Sequence, residues 1–233
     1  MALNASTIKT TNKPRVQQEE LEIGTYMCRV AQVIDMGVRP REKWDPATNG
    51  YVVDDSKAPA QAMMVTYEFT TEFVKDADGN EDETKPRWLS ENLFLFSLEV
   101  DLATSTKRYK AIDPTMAAGG DWTKLIGAPC MVTIVHKKNG KAKIGSVTPI
   151  PKGMPVTELK NEGKVFLMDE PDTEIFKSLP EWLQTKVTEA LNYKGSALQV
   201  ALGGKAEEPA PQAPANPEPA APDVGDGDED LPW

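Results

Sequence analysis

The sequence is poor in the residues that build metal and redox sites. It has two cysteines, Cys28 and Cys130, and one histidine, His136, among 233 residues. Both cysteines lie within apolar, strand-like runs, which favours buried thiols over a disulfide or a zinc site. His136 also lies in a strand-like run with no obvious nucleophile nearby, which favours a packing or groove role over catalysis. The sequence gives no support for a metalloenzyme, and we expect no cofactor and no catalytic residue.

Long apolar runs and phosphate-binding glycine loops are missing as well. No run approaches the roughly 20 apolar residues that span a bilayer, and the N-terminus lacks the apolar core of a signal peptide. We therefore expect a cytoplasmic protein with no membrane partner. Acidic pairs such as Asp169-Glu170 leave a metal-dependent nuclease as an alternative. Solvated loop carboxylates explain these pairs more simply.

The net charge of −10 is unevenly distributed along the chain. From Gly204 to Trp233 there are eight acids against one base, Lys205, which gives −7 and leaves −3 for residues 1–203. The body of the protein is therefore nearly neutral, and local basic patches on it are able to bind an anion.

Period-two alternation of apolar residues predicts five strands. They run from Leu21 to Met36, Ala62 to Val74, about Arg87 to Ser97, Pro129 to Lys137, and Lys141 to Pro149. The long polar segment from Gly37 to Pro59 reads as a large loop, and the residues from Leu98 to Ile112 contain a helix. Asn139-Gly140 predicts a hairpin with a type I′ turn between the last two strands.

Five strands with a helix between the third and fourth predict a mainly β fold, a five-stranded OB-fold-like barrel. Other small barrels and sandwiches share this count. Ser178 and Glu181 read as a capping box for a helix that would bury Trp182 against the barrel. We divide the chain into a loose leader (1–20), the barrel (21–150), a helical extension packed on the barrel (151–203), and a disordered Pro/Ala-rich linker with an acidic tip (204–233).

Three basic clusters with interleaved aromatic residues fall where an OB-fold exposes its ligand groove. Cations that follow phosphates, together with aromatic rings on which bases stack, suit sequence-tolerant binding of single strands. Solvated lysines at a turn, and Trp88 as a core residue, remain alternatives. The candidate DNA-binding residues are Arg39, Arg41, Lys43, Trp44, Tyr51, Arg87, Trp88, Lys107, Arg108, Lys110, Lys137, Lys138, Lys141 and Lys143.

The last eleven residues combine five acidic side chains with an apolar end. This pattern favours a short interaction motif, with carboxylates for steering and an aromatic side chain for a pocket, while a solubilising tail is the alternative. The candidate partner-binding residues are Asp226, Asp228, Glu229, Asp230, Leu231, Pro232 and Trp233.

The terminus from Asp228 to Trp233 is similar to the acidic tip of bacterial single-stranded DNA-binding proteins. In that family Asp residues are followed by an aliphatic residue, Pro and Phe, so Leu231 and Pro232 match, while Trp233 enlarges the terminal ring. The globular part does not look like the bacterial family. Ser105-Thr-Lys-Arg-Tyr-Lys110 and Lys177-Ser-Leu-Pro-Glu-Trp-Leu183 instead resemble phage-encoded proteins of the single-strand-binding type, a resemblance that covers most of residues 22–195.

The resemblance implies a protein that coats single-stranded DNA during phage replication, recombination or repair, in the host cytoplasm. Its tip would recruit replication or recombination proteins. A protein–protein adaptor with an interaction tail is the alternative of another class. Self-association into a homo-oligomer is left open by the sequence.

The acidic tip generates a first prediction. Replacing Trp233 by Ala should weaken binding to a replication or recombination partner about thirty-fold, because a buried aromatic anchor commonly contributes 2 kcal/mol or more. Surface plasmon resonance with the full-length chain measures this loss, and Val224→Ala, at a position that is not among the candidate partner-binding residues, serves as the control. Equal affinity of the wild type and Trp233→Ala for every such partner would leave the tip as a solubility device.

Overall fold

Strands make up most of the regular secondary structure in the computed structural model, which describes residues 18–205. They are β1 (Gly24–Arg39), β2 (Glu42–Asp45), β3 (Gly50–Val53), β4 (Ala60–Lys75), β5 (Glu81–Phe94), β6 (Pro129–His136), β7 (Ala142–Thr148) and β8 (Lys164–Phe166). The helices are α1 (Thr104–Ile112), α2 (Thr173–Ser178), α3 (Glu181–Thr188) and α4 (Ala197–Ala201), with a 3₁₀ turn at Trp122–Leu125. The prediction of a mainly β protein is confirmed. The leader up to residue 17 and the linker and tip from residue 206 lie outside the described residues.

The main sheet has six strands and is open. Five antiparallel strands follow the order β5-β4-β1-β6-β7, and β8 adds to β1 in parallel. In the described part of the chain no ladder joins the outer strands β5 and β7, although their Cα atoms approach within 8 Å. The expected closed barrel is therefore not seen. The five predicted principal strands are present in the predicted order, with α1 between the third and the fourth.

The long strand β1 changes partner along its length. Its first part, up to Arg29, pairs with β6, and Gln32 to Ile34 pair with β8. Register shifts against β4 lie after Val30 and after Asp35. Such irregularities bend a strand and increase its twist, which lets one strand serve two parts of a coiled sheet.

The two faces of β4 pack against two different cores. Met63, Val65, Tyr67 and Phe69 join the cluster inside the coiled sheet, which also contains residues of α1, β6 and β7. Ala62 and Met64 face the other way and join a second cluster with residues of β8 and α2–α4. The C-terminal helices thus cover the outer face of the sheet. Gly37 permits this close approach, because a Cβ atom there would lie 2.4 Å from the Ala190 Cβ.

Arg108 of α1 bridges the open edge between β5 and β7. Its guanidinium donates to both carboxylate oxygens of Glu91 on β5, at 3.0 to 3.3 Å, and to the Gly145 carbonyl on β7 at 3.3 Å. The Tyr67 hydroxyl donates to the same carboxylate at 2.9 Å. The side chains of Arg108 and Glu91 are only 9% and 14% exposed, so water screens this pair weakly. A buried ion pair therefore connects the two edges that no ladder joins.

Residues 18–21 cross the opposite end of the same opening. The Gln18 amide pairs with the backbone N–H and carbonyl of Lys75 at the end of β4, both at 2.8 Å. At the other end, the Leu21 carbonyl accepts a hydrogen bond from Nε2 of His136 on β6. Leu21 itself is buried in the inner core. The last residues of the expected loose leader are therefore anchored.

Cys28 and Cys130 lie directly opposite each other on β1 and β6. Both are free and fully buried, as the apolar runs around them predict. Burial raises the pKa of Cys130 to about 12, so its thiol stays protonated at neutral pH.

Three local sequence predictions are wrong. The segment after β1 is not one large loop, because it contains the two-stranded sheet β2–β3. Ser178 does not cap α3: it ends α2, and its hydroxyl donates to the Ile175 carbonyl, while α3 begins after Pro180. Trp182 is not a core residue but is 52% exposed, because Leu183 and Val187 form the buried side of the short helix α3.

The turn between β6 and β7 also differs in type from the prediction. Gly140 has φ +80°, but Asn139 is not among the residues of positive φ, as a type I′ turn requires. The Gly140 N–H donates to the Lys137 carbonyl, and the Lys137 N–H donates to the Lys141 carbonyl. This pattern is a type I turn followed by a glycine bulge, which needs positive φ only at the glycine.

The bridge at the open edge generates a stability prediction. Replacing Arg108 by Met should lower the free energy of unfolding by about 3 kcal/mol or more, because the Glu91 carboxylate would stay buried without its partner. Urea denaturation measures the change. Lys110→Met is the matched control, since Lys110 pairs with Asp101 at an exposed site on the same helix and little or no change is expected. Equal stabilities of the two variants would contradict the structural role of the bridge.

Candidate nucleic-acid interface

The β2–β3 hairpin presents the most exposed aromatic pair of the predicted interface. Trp44 and Tyr51 are register partners, and their rings meet edge to face with centroids 5.3 Å apart. Trp44 is 50% exposed, although it is a large apolar side chain. A fixed ring with an open face is a surface on which a planar base stacks.

Asp54 holds the base of this hairpin. Its carboxylate accepts hydrogen bonds from the Lys43 ammonium at 3.2 Å and from the Ser56 hydroxyl at 2.6 Å. The Asp54 N–H donates to the Arg41 carbonyl at 2.8 Å, which joins the two ends of the hairpin. The Ser56 hydroxyl is the largest influence that lowers the pKa of Asp54, so the carboxylate is ionised at neutral pH.

Arg41 connects the hairpin to the end of β5. Its guanidinium lies over the Phe94 ring at 5.7 Å and over the Phe96 ring at 5.3 Å from the centroids. A guanidinium that stacks on aromatic rings remains charged. Arg41, Phe94 and Phe96 therefore form a cationic, aromatic surface at the foot of the hairpin.

The outward row of β5 leads from this surface to Trp88. The alternation of side chains along a strand places Trp88, Ser90, Asn92 and Phe94 on one face of β5. Trp88 and Phe94 are six residues apart, which is about 20 Å along the strand. Trp88 is 38% exposed, and its Nε1–H donates to Glu68 on the neighbouring strand at 3.0 Å. We refer to the row together with Arg41, Phe96 and the hairpin as the β5 surface.

The outer face of β4 is not part of this surface. Thr66, Glu68 and Thr70 are all buried, and the connection from β7 to β8, residues 149–163, contacts Glu68. The β5 surface therefore comprises the third principal strand and the hairpin, and it does not extend over the second strand.

Three predicted DNA-binding arginines contact other parts of the fold instead. Arg39 is 8% exposed, and its guanidinium donates to the Lys186 carbonyl at the end of α3. Arg108 is 7% exposed and forms the bridge at the open edge. Arg87 donates to the Glu19 carbonyl and, as the neighbour of Trp88 in a strand, points to the other face of β5. None of the three guanidinium groups contributes to the β5 surface.

The structure places the predicted lysines in separate groups. Lys107 is exposed on α1, and the nearby Lys110 pairs with Asp101 at 2.5 Å. The β6–β7 tip lies beside the start of β1, whereas the hairpin follows the end of β1. The tip lysines are Lys137, Lys138, Lys141 and Lys143. They lie at the other end of the strands from Trp44.

Phe94, Phe96 and Glu68 were not recognised as site residues in the sequence. The two phenylalanines belong to an apolar run that predicts only a strand, and Glu68 is a single acid within another strand. For the two phenylalanines, closeness to Trp88 in the chain was the one available signal, and Glu68 has no predicted site residue near it in the chain. Tertiary contact with Arg41 and Trp88 distinguishes them from ordinary strand residues.

No group of three or more His, Cys, Asp or Glu residues within 18–205 is arranged to hold a metal ion. Over the same range, no helix is long and apolar enough to cross a membrane. Comparisons with protein-family models, curated proteins and solved structures find no match to this chain.

The Asp54 contacts generate a prediction for the hairpin. Asp54→Ala should speed amide hydrogen exchange across β2 and β3, because the Lys43 and Ser56 contacts are lost, while the main sheet keeps its protection. In the wild type this protection should persist at neutral pH and decline as the pH falls below about 4, since a depressed folded-state pKa stabilises only while the carboxylate is ionised.

Hydrogen-exchange mass spectrometry measures both effects. Asp101→Ala removes an exposed carboxylate near α1 and is the control. Unchanged exchange in β2 and β3 of Asp54→Ala would show that Asp54 does not hold the hairpin.

Proposed function

We propose that the protein binds single-stranded DNA, without strong sequence preference, along the β5 surface. The observation that carries the proposal is the stacking of Arg41 on Phe94 and Phe96 at the foot of a hairpin that exposes Trp44. Cationic groups and stacking rings in one path are the requirements for this type of binding, because every base has a π-face and every nucleotide a phosphate.

The strand order supports an OB-fold-like barrel as the scaffold. Three principal strands form a meander, a helix follows, and two further strands complete the set, with β1 between β4 and β6. OB-folds bind oligonucleotides on the face of their second and third strands and in adjoining loops. The β5 surface is the accessible part of that region here, because residues 149–163 and the C-terminal helices cover β4.

The binding residues we propose are a subset of those expected from the sequence, with two additions. Arg41, Lys43, Trp44, Tyr51 and Trp88 are retained, and Phe94 and Phe96 join them. Lys107 and the tip lysines remain proposed phosphate contacts at the margins, because they are solvent-accessible cations outside the β5 surface. Arg39, Arg87 and Arg108 are omitted because of their contacts in the fold.

The acidic tip completes the proposal. We infer that it recruits replication or recombination proteins, as the similar tip of bacterial single-stranded DNA-binding proteins implies, while the body holds the strand. The proposed setting is phage DNA metabolism in the host cytoplasm. The tip lies outside the described residues, so this part depends on the sequence alone.

Fluorescence anisotropy with labelled oligonucleotides at several salt concentrations tests the proposal. Trp44→Ala should weaken single-strand binding by about 1–3 kcal/mol, the usual contribution of one stacked base. Trp182→Ala, an equally exposed tryptophan on α3, should bind like the wild type.

The wild type should also bind less tightly as salt rises, because phosphate contacts release counterions. Absence of single-strand binding by the wild type would overturn the proposal and favour an adaptor. Magnesium-dependent cleavage of the oligonucleotide would favour a nuclease instead.

A further inference from the structure

Glu68 is a carboxylate buried under the connection between β7 and β8. Only 1% of its surface is exposed, and four N–H groups converge on it. The Lys160 backbone N–H donates to Oε1 at 2.7 Å, and the Asn161 backbone N–H, the Asn161 side-chain amide and the Trp88 indole donate to Oε2 at 3.3, 2.5 and 3.0 Å. Burying a carboxylate is costly unless its oxygens are satisfied, so these donors are held firmly in place.

One of the four donors belongs to the β5 surface. The Trp88 ring is 38% exposed, and its Nε1–H shares the Glu68 Oε2 atom with Asn161. Glu68 and Trp88 are register partners on β4 and β5, so the bond runs between adjacent strands on the same outer face. The indole is therefore fixed at its polar edge, while part of its apolar ring remains open to solvent.

We propose that Glu68 is a positioning residue for DNA binding, which holds Trp88 as a second stacking platform at the far end of the β5 surface from Trp44. This inference rests on the proposed function. A ring that is already ordered loses less conformational entropy when a base stacks on it, and this increases affinity. Glu68 does not contact the DNA itself, because residues 160 and 161 cover it.

The sign of the effect distinguishes positioning from simple electrostatics. Removal of a negative charge from the protein near the bound DNA should strengthen DNA binding, because DNA is itself negatively charged. The proposal predicts the opposite for Glu68→Gln, because a glutamine amide has one acceptor oxygen and presents an N–H₂ group to the remaining donors.

The experiment measures the affinity of a labelled single-stranded oligonucleotide by anisotropy at fixed salt. Glu68→Gln should bind about three-fold or more weakly and Trp88→Ala about five-fold or more weakly than the wild type. Glu72→Gln, the same charge change on the same strand, should bind equally well or slightly better. Binding of Glu68→Gln that matches or exceeds the wild type would overturn the proposal.

A double-mutant cycle separates positioning from a general structural role. If Glu68 acts through Trp88, Glu68→Gln should add nothing in the Trp88→Ala background. Additive losses in that cycle would overturn the positioning role while leaving the proposed function intact. Wild-type protein that fails to bind the oligonucleotide would overturn the proposed function itself.

Trp88→Phe keeps an aromatic face but lacks the Nε1–H donor, and it keeps the Glu68 carboxylate in the protein. Its affinity should lie between those of the wild type and Trp88→Ala, and Glu68→Gln should have no further effect on it. Wild-type affinity of Trp88→Phe would contradict the proposal even if Glu68→Gln failed to fold.

Discussion

The structure depends on how the open edge between β5 and β7 is held together. A sheet of this order has two free edges, and its inner face stays dry only if those edges remain close. Arg108 supplies that constraint by bonding a carboxylate on one edge and a carbonyl on the other from a single guanidinium. The fork of donors on arginine suits this task, whereas a lysine ammonium lacks the planar geometry. Helix α1 therefore holds the two edges of the open sheet together and is not only a connection.

Burial of both faces of β4 determines where a ligand is able to bind. The inner face of β4 packs against the core of the coiled sheet, and the outer face packs under the C-terminal helices and residues 149–163. Residues 62–70 of the second principal strand are therefore inaccessible, whereas Trp88 on β5 and Trp44 on the β2–β3 hairpin are exposed. The C-terminal extension that forms the second core also covers part of the surface on which a DNA strand could lie. The same packing therefore stabilises the fold and determines where the site is.

The sequence predicted secondary structure best where the apolar period of a strand or a turn-forming residue determines it locally. Alternation placed four of the principal strands to within three residues, although β5 begins six residues before its predicted start, and the glycine at position 140 marked the correct hairpin. The sequence did not predict which side chains are buried or exposed where tertiary contacts determine this. Arg39 and Arg108 look like surface cations in a basic cluster, but each reaches a buried acceptor on another element. Trp182 follows the period of its helix, but that helix is too short to bury more than one narrow side.

Buried carboxylates explain how a nearly neutral body is able to present cationic and aromatic groups. Asp54 fixes the hairpin that bears Trp44, Glu68 fixes Trp88, and Glu91 fixes Arg108. Each carboxylate is surrounded by N–H, O–H or cationic donors that offset its field, whereas Lys138 and Lys141 at the β6–β7 tip are exposed. The net charge of the chain does not distinguish these buried carboxylates from the exposed lysines. The potential that an approaching DNA strand meets depends on which charges are compensated inside the fold, and the carboxylates of Asp54, Glu68 and Glu91 are among these.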